Sequence, residues 1–281
     1  MKTKFLSTVI LVVLAMGCIT AQNNRTVKRN IDVSGFTSIN ASGGWDVYIS
    51  QGSRQSVSIE ISEEIADYAV VEVKGNTLHI YNKRGIRVFS WNRVRDVTLK
   101  AYVTVTNLTE LQTSGGVDII FETPLNAENF KVTMSGGSDI KNLSLNCHSF
   151  KGDFSGGSDA EVRFLSANVI KVDASGGSDV ELYDIDAGEC RVSASGGCDV
   201  ELYGRTEFLK IDASGGCDVS AEELMAKVCE AAFSGAADGK IHVTDNLDIS
   251  VSGASDVICY GNPRDIQKNI GRTGSLKIKG N

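Results

Sequence analysis

From about residue 108 to residue 262, apolar and polar positions alternate with period 2, broken at near-constant intervals by a short glycine motif. Five, three and one residues before each motif serine the side chains are mostly apolar, as in Phe150/Gly152/Phe154, Ile170/Val172/Ala174 and Cys190/Val192/Ala194. The positions between are polar: Lys151/Asp153, Lys171/Asp173, Arg191/Ser193. After the motif, Val180 and Leu182 alternate with Asp179 and Glu181, and Val200 and Leu202 with Asp199 and Glu201. This periodicity predicts strands with one buried face, joined by a bend at the glycines.

The motif is Ser-Gly-Gly-x-Asp. It starts at Ser114, Ser135, Ser155, Ser175, Ser195 and Ser214, with degenerate copies at Ser234 (Ser-Gly-Ala-Ala-Asp) and Ser252 (Ser-Gly-Ala-Ser-Asp). The steps between serines are 21, 20, 20, 20, 19, 20 and 18 residues, and an early copy, Ser42–Asp46, precedes Ser114 by 72. A two-strand unit of this size cannot bury its own apolar face. Stacked units can, with equivalent residues forming ladders about 4.8 Å apart. The expected fold is all-β: a β-solenoid, specifically a parallel β-helix with coils of about 20 residues, its regular part roughly 40 Å long. Residues 31–107 alternate less regularly and read as irregular coils and an N-terminal cap. Within them Ser62–Asp67 is a short helix or loop and Asn82–Asp96 an exposed loop. Residues 108–262 are the regular repeats and 263–281 a C-terminal cap, so that 31–281 form one domain after a short linker at 22–30.

Residues 1–21 read as an export signal. Lys2 and Lys4 precede a mostly apolar run, Phe5–Met16, too short to span a bilayer as a helix. Two processing routes fit. Ile19-Thr20-Ala21 suits cleavage after Ala21, whereas Ala15-Met16-Gly17-Cys18 resembles a lipobox with Cys18 as the lipidated residue. The expected location is the outer membrane, cell surface or periplasm, with membrane contact only through a lipid on Cys18.

Several features together carry a family resemblance. Phe36-Thr37-Ser38-Ile39 leads into Ser42-Gly43-Gly44-Trp45-Asp46-Val47-Tyr48-Ile49-Ser50-Gln51-Gly52. Gly75-Asn76-Thr77-Leu78-His79-Ile80, Val103-Thr104-Val105 and the motif run follow. In that order they resemble the auto-transporter adhesin "head GIN" domain family (DUF2807) of Bacteroidetes, over about residues 31–280. The resemblance implies a right-handed parallel β-helix on an exported protein and brings no catalytic residues with it. The repeats are not followed by amphipathic membrane-barrel strands, so self-translocation is not expected.

Composition narrows the classes. Hydrophobic residues are 42% and charged residues 22%, ordinary for a folded chain. Net charge is −7 with three His, a poor match to nucleic-acid binding, so no nucleic-acid partner is expected. The repeats place Asp118, Asp139, Asp159, Asp179, Asp199, Asp218, Asp238 and Asp256 in one column. Like charges at ladder spacing repel by roughly 0.9 kcal/mol per pair in water. Hydrogen bonds from turn amides, as in an Asx-turn, are the expected offset. A Ca²⁺ ion is the alternative, with Glu161, Glu181 and Glu201 on the same face, although the repeat is not the nonapeptide of Ca²⁺-binding β-rolls. No cofactor is otherwise expected.

Other candidates have ordinary readings beside sharper ones. Lys131, Lys151, Lys171, Arg191 and Lys210 form a basic column that reads as a charge-paired outer face, or as an anion- or glycan-binding stripe. Arg84, Arg87, Arg93 and Arg95 surround Phe89 and Trp91 next to Lys83. This is an exposed loop, and the first place to look for a ligand such as a glycan or an envelope protein; Arg84, Arg87, Trp91, Arg93 and Arg95 are its candidate contacts. Cys190 and Cys229 fall in the apolar column of Phe130, Phe150, Ile170, Leu209 and Leu247 and read as core residues. Cys198 and Cys217 take the place of Ser138, Ser158 and Ser178 on adjacent coils, near enough for a disulfide. His79, His148 and His242 are scattered, and no Gly-x-Ser-x-Gly occurs. The chain therefore reads as a non-catalytic surface-binding module. A carbohydrate-active β-helix enzyme and a periplasmic structural lipoprotein are the alternatives.

Overall fold

The structure is a computed structural model and describes residues 25–83 and 97–280. Its first part contains β1 (Thr26–Ile31), β2 (Ser38–Ser42), β3 (Asp46–Gln51), β4 (Ser56–Ser62), β5 (Ala69–Lys74), β6 (Thr77–Asn82), β7 (Leu99–Val105), β8 (Glu110–Ser114) and β9 (Asp118–Phe121). The repeats continue with β10 (Leu125–Ser135), β11 (Asp139–Phe154), β12 (Asp159–Ser166), β13 (Val169–Gly176), β14 (Asp179–Gly196), β15 (Asp199–Gly215), β16 (Asp218–Gly235) and β17 (Asp238–Val251). β18 (Asp256–Tyr260), β19 (Asp265–Ile270) and β20 (Ser275–Lys279) close the series. The fold is the expected parallel β-solenoid. Each coil has an approach segment before the Ser-Gly-Gly turn and an exit segment after it. Both pair in parallel with their equivalents in the next coil, as in Lys151↔Lys171 and Asp179↔Asp199.

The early motif copy lies beside its neighbours despite its distance in sequence. β2 pairs in register with β8, so Ser42 is next to Ser114, one coil away. The intervening chain stacks on the other side: β6 pairs with β2 and β7 with β3. The parallel stack then ends in antiparallel strands. β4 runs against β7, β1 against β4, and β5 against β6. A single 3-10 turn, Glu63–Ile65, joins β4 to β5 and buries Ile65; it is the short helix expected near Ser62–Asp67. The segment 22–30, read as a linker, is strand from Thr26 onward. The tail after Pro263, read as a C-terminal cap, forms one further coil, β19 and β20.

The interior is filled by columns of small and β-branched side chains with a few aromatics. Volume is traded between neighbouring columns. Val172/Ala174, Val192/Ala194 and Ile211/Ala213 become Gly152/Phe154 one coil earlier. There the Phe154 ring lies over Gly152 so closely that a Cβ would sit 2.4 Å from Cε2. Gly239 is covered in the same way by Phe233. Close-packed interiors require this compensation.

Candidate functional site

The turn that spaces the surface columns is built by glycine and by the residue before the Asp. The first Gly of each motif has positive φ, +79° at Gly176, and packs against the previous coil; a Cβ there would meet Gly156 O at 2.8 Å. The second Gly of the regular repeats meets only ordinary contacts, 3.8 Å or more at Gly177. The degenerate motifs agree: they keep Gly235 and Gly253 and place Ala236 and Ala254 second. The residue before the Asp points inward. Ser138, Ser158 and Ser178 are fully buried, and their hydroxyls donate to the carbonyls of Ser135, Ser155 and Ser175 at 3.1, 2.8 and 2.6 Å. Cys198 and Cys217 fill the same slot, as does Trp45 in the first coil.

From Asp118 to Asp256 the aspartates alternate outward from the exit segment, with the buried serine behind them in the coils of Ser138, Ser158 and Ser178. Asp238 Oδ1 accepts the Asp256 amide of the next coil at 3.0 Å, and Asp159 accepts a backbone amide from Asp179. At the N-terminal end Lys141 lies 3.3 Å from Asp139 and 3.9 Å from Asp118. Further along, burial pushes the Asp159 and Asp218 carboxyls above the ordinary range. The carboxylates of the adjacent coils, Asp139 and Asp179 for one and Asp199 and Asp238 for the other, add to it.

Beside the Asp column, Glu161, Glu181 and Glu201 stand in register. Two residues further, Tyr183 and Tyr203 stack with ring centroids 4.8 Å apart and planes at 12°. The Arg163 guanidinium lies 5.1 Å from the Tyr183 centroid. Each tyrosine donates its hydroxyl to the glutamate of its own coil, Glu181 or Glu201. That hydrogen bond raises the Tyr183 phenol to about 12 and moves Tyr203 the same way. The exit face opens toward its C-terminal half into a groove of about 560 Å³, lined by Asp199, Glu201, Tyr203, Asp218, Asp238 and Lys240 among others. An acidic floor beside an aromatic platform can attract positively charged organic groups and stack on flat apolar rings. The tyrosines escaped sequence reasoning, although their recurrence four residues after Asp179 and Asp199 was visible.

Four of the five residues of the basic column are charge-paired, and Lys171 has no ion pair among the described residues. Lys131 meets Glu110 at 3.3 Å, Lys151 meets Asp153 at 3.0 Å and Asp173 at 3.8 Å, and Lys210 meets Asp212 at 3.8 Å and Glu230 at 3.9 Å. Arg191 pairs with Glu189. Among the described residues no group of three or more His, Cys, Asp or Glu side chains could hold a metal ion. The six described cysteines are buried free thiols, and burial raises Cys147 and Cys259 to about 11 and Cys190 to about 12. Arg84, Arg87, Trp91, Arg93 and Arg95, and the candidate lipidation residue Cys18, lie outside the described residues.

Comparison with known proteins agrees with this architecture. Residues 35–203 and 154–263 each match the family described as "putative auto-transporter adhesin, head GIN domain". The two matches overlap within the repeats. A solved putative adhesin from Parabacteroides distasonis is similar, at 18% identity and a TM-score of 0.68, covering 92% of this chain and 98% of that one. So are a putative adhesin from Parabacteroides merdae (16%, 0.63, 92% and 97%) and a putative lipid binding protein from P. distasonis (21%, 0.61, 92% and 98%). At these identities the likeness is one of fold. No curated protein matches the chain. With its motif run, its stacked coils and family matches over most of its length, the chain belongs to the auto-transporter adhesin head GIN domain family.

Proposed function

We propose that this protein is an exported, non-catalytic component of the cell envelope, of the adhesin type, that uses its exit face as a rigid docking surface. One observation carries the reading: the outward groups of that face repeat in register from coil to coil, Asp179/Glu181/Tyr183 beside Asp199/Glu201/Tyr203. A face with a repeat of its own suits an extended partner whose recognised groups also repeat. Catalysis instead needs unlike groups converging once, with separated pKa values. The apolar run near the N-terminus and the adhesin descriptions of the family and its solved relatives favour export to the outer membrane, the cell surface or the periplasm.

The test is protease shaving of intact cells, with lysed cells as control, joined to binding on arrays of glycans and matrix proteins. Cleavage on intact cells, and a binding signal lost in Tyr183→Ala/Tyr203→Ala at unchanged melting temperature, are the expected results. Cleavage only after lysis overturns the surface assignment. Release of new ends from an acidic polysaccharide overturns the non-catalytic one.

A further inference from the structure

The two ends of the solenoid are finished differently. At the N-terminal end the stack is closed by antiparallel strands, and Ile59, Ile61, Ile65 and Ala66 are buried beneath them. At the C-terminal end the last coil has, among the described residues, a neighbour on one side only: β19 pairs with β17, and β20 with β18. The core columns run on into this coil, and no described strand covers them. Val257 and Cys259 are buried, but their ladder successors Leu276 and Ile278 are half-buried and 39% exposed. Leu247 is buried and its successor Ile266 is 40% exposed.

An open parallel edge exposes a row of unpaired N–H and C=O groups and acts as a template for another strand. What it accepts is set by charge. Between residues 264 and 279 stand Arg264, Lys268, Arg272, Lys277 and Lys279 against Asp265, a basic end on a chain of net charge −7. Arg264 pairs with Asp245 at 3.2 Å, Lys279 lies over the Tyr260 ring at 5.3 Å, and neither Lys277 nor Lys268 has an ion pair among the described residues. Lys268 stands in the ladder position of the buried Ile249, so a charge occupies what would be a core site. This arrangement repels a second copy of the same end. The opposite end is finished by β1, whose Lys28 is already paired with Glu60 at 3.2 Å, and it presents an antiparallel strand instead of an open parallel coil.

We propose that the C-terminal end of the solenoid is a strand-addition site, in which an extended acidic segment of a partner polypeptide, with alternating apolar residues, pairs along β20. Its apolar side chains cover Leu276 and Ile278, and its carboxylates meet Lys277 and Lys279. Backbone pairing supplies affinity, and the lysines select the sign of the partner. The site adjoins the C-terminal limit of the exit-face groove, where Lys277 follows Ile258 in the ladder, but it is the edge of β20 and does not depend on the reading of that groove.

The experiment uses the mature chain and two fluorescent ten-residue peptides, one alternating Glu with Val and the other Lys with Val. The acidic peptide is expected to bind saturably and the basic one not. Lys277→Glu/Lys279→Glu should weaken acidic-peptide binding by about tenfold or more without moving the melting temperature. Amide exchange should slow in residues 275–279 on binding. The proposal is overturned if the two peptides bind alike, if the double variant leaves affinity unchanged, or if protection appears in the exit segments of earlier coils, around residues 179–183 and 199–203, and not in 275–279. It is equally overturned if sedimentation shows the wild-type chain pairing with itself through this end.

Discussion

The Sγ atoms of Cys198 and Cys217 lie 3.2 Å apart across two adjacent coils, both side chains fully buried in the slot that serine fills elsewhere. The Cys198 thiol is raised to about 12, first by burial and then by its hydrogen bond to Cys217, so neither a thiolate nor an outside oxidant is at hand once the chain has folded. The two are free thiols here, so any disulfide between them has to form before this slot closes in folding. Refolding with oxidised glutathione is expected to give a single Cys198–Cys217 disulfide, the two thiols passing two protons and two electrons to the glutathione. The closed loop corresponds to about 3 kcal/mol of added stability. Peptide mapping and the melting temperature under reducing and non-reducing conditions check this; recovery of both residues as alkylated thiols refutes it.

The two glycines of one motif should differ sharply. Gly176→Ala forces a side chain into positive φ and against Gly156 O, at a cost of about 3 kcal/mol. Gly177→Ala should stay within about 0.5 kcal/mol of wild type. Denaturant unfolding of both variants measures the difference, and equal losses would show that the turn is not held by this contact.

Gly152 and Phe154 should behave as a unit. Gly152→Val alone overpacks against the Phe154 ring and should cost about 2–3 kcal/mol. Phe154→Ala alone leaves a cavity, at about 3–5 kcal/mol. The double variant recreates the Val/Ala pair of residues 172 and 174 and should lose clearly less than the sum, with a coupling on the order of 2 kcal/mol. An additive double-mutant cycle would contradict the packing described.

The aspartate column should make stability depend on pH in an unusual sense. Asp218 has a raised carboxyl pKa, so the folded state holds this proton more tightly than the unfolded chain does. Its unfavourable contribution is fully present above the folded pKa and disappears as pH falls through the carboxylate range. Asp218→Asn should therefore stabilise the protein at pH 7, by about 1 kcal/mol or less because the site is solvated. The gain should shrink with added salt and vanish in acid. Thermal melts of the two proteins across pH test this, and a gain that persists at low pH would assign it to something other than charge.

Most of the coil geometry was legible in the residues. The period-2 alternation and the recurring motif specify which side chains face inward, and the register follows because a one-residue slip would expose a whole apolar column. The columns of aspartate, lysine and cysteine were readable on the same grounds. The place of Ser42 beside Ser114 was not, because the two are 72 positions apart and the described strands β6 and β7 between them stack on the other side of the first coil. Only the pairing of β2 with β6 and β8 places that excursion.

By itself the sequence determined the fold class, the repeat and the family, because these rest on local periodicity and on turn chemistry that each coil states again. Tertiary structure decided what each repeated residue does. It turned the aspartates outward and buried Ser138, Ser158 and Ser178 behind three of the turns. It brought Tyr183 and Tyr203 face to face, set Gly152 under Phe154, and left Leu276 and Ile278 uncovered at one end while antiparallel strands closed the other. These outcomes depend on contacts between neighbouring coils, where packing and hydrogen bonding are settled by residues about twenty or more positions apart and not by the local pattern.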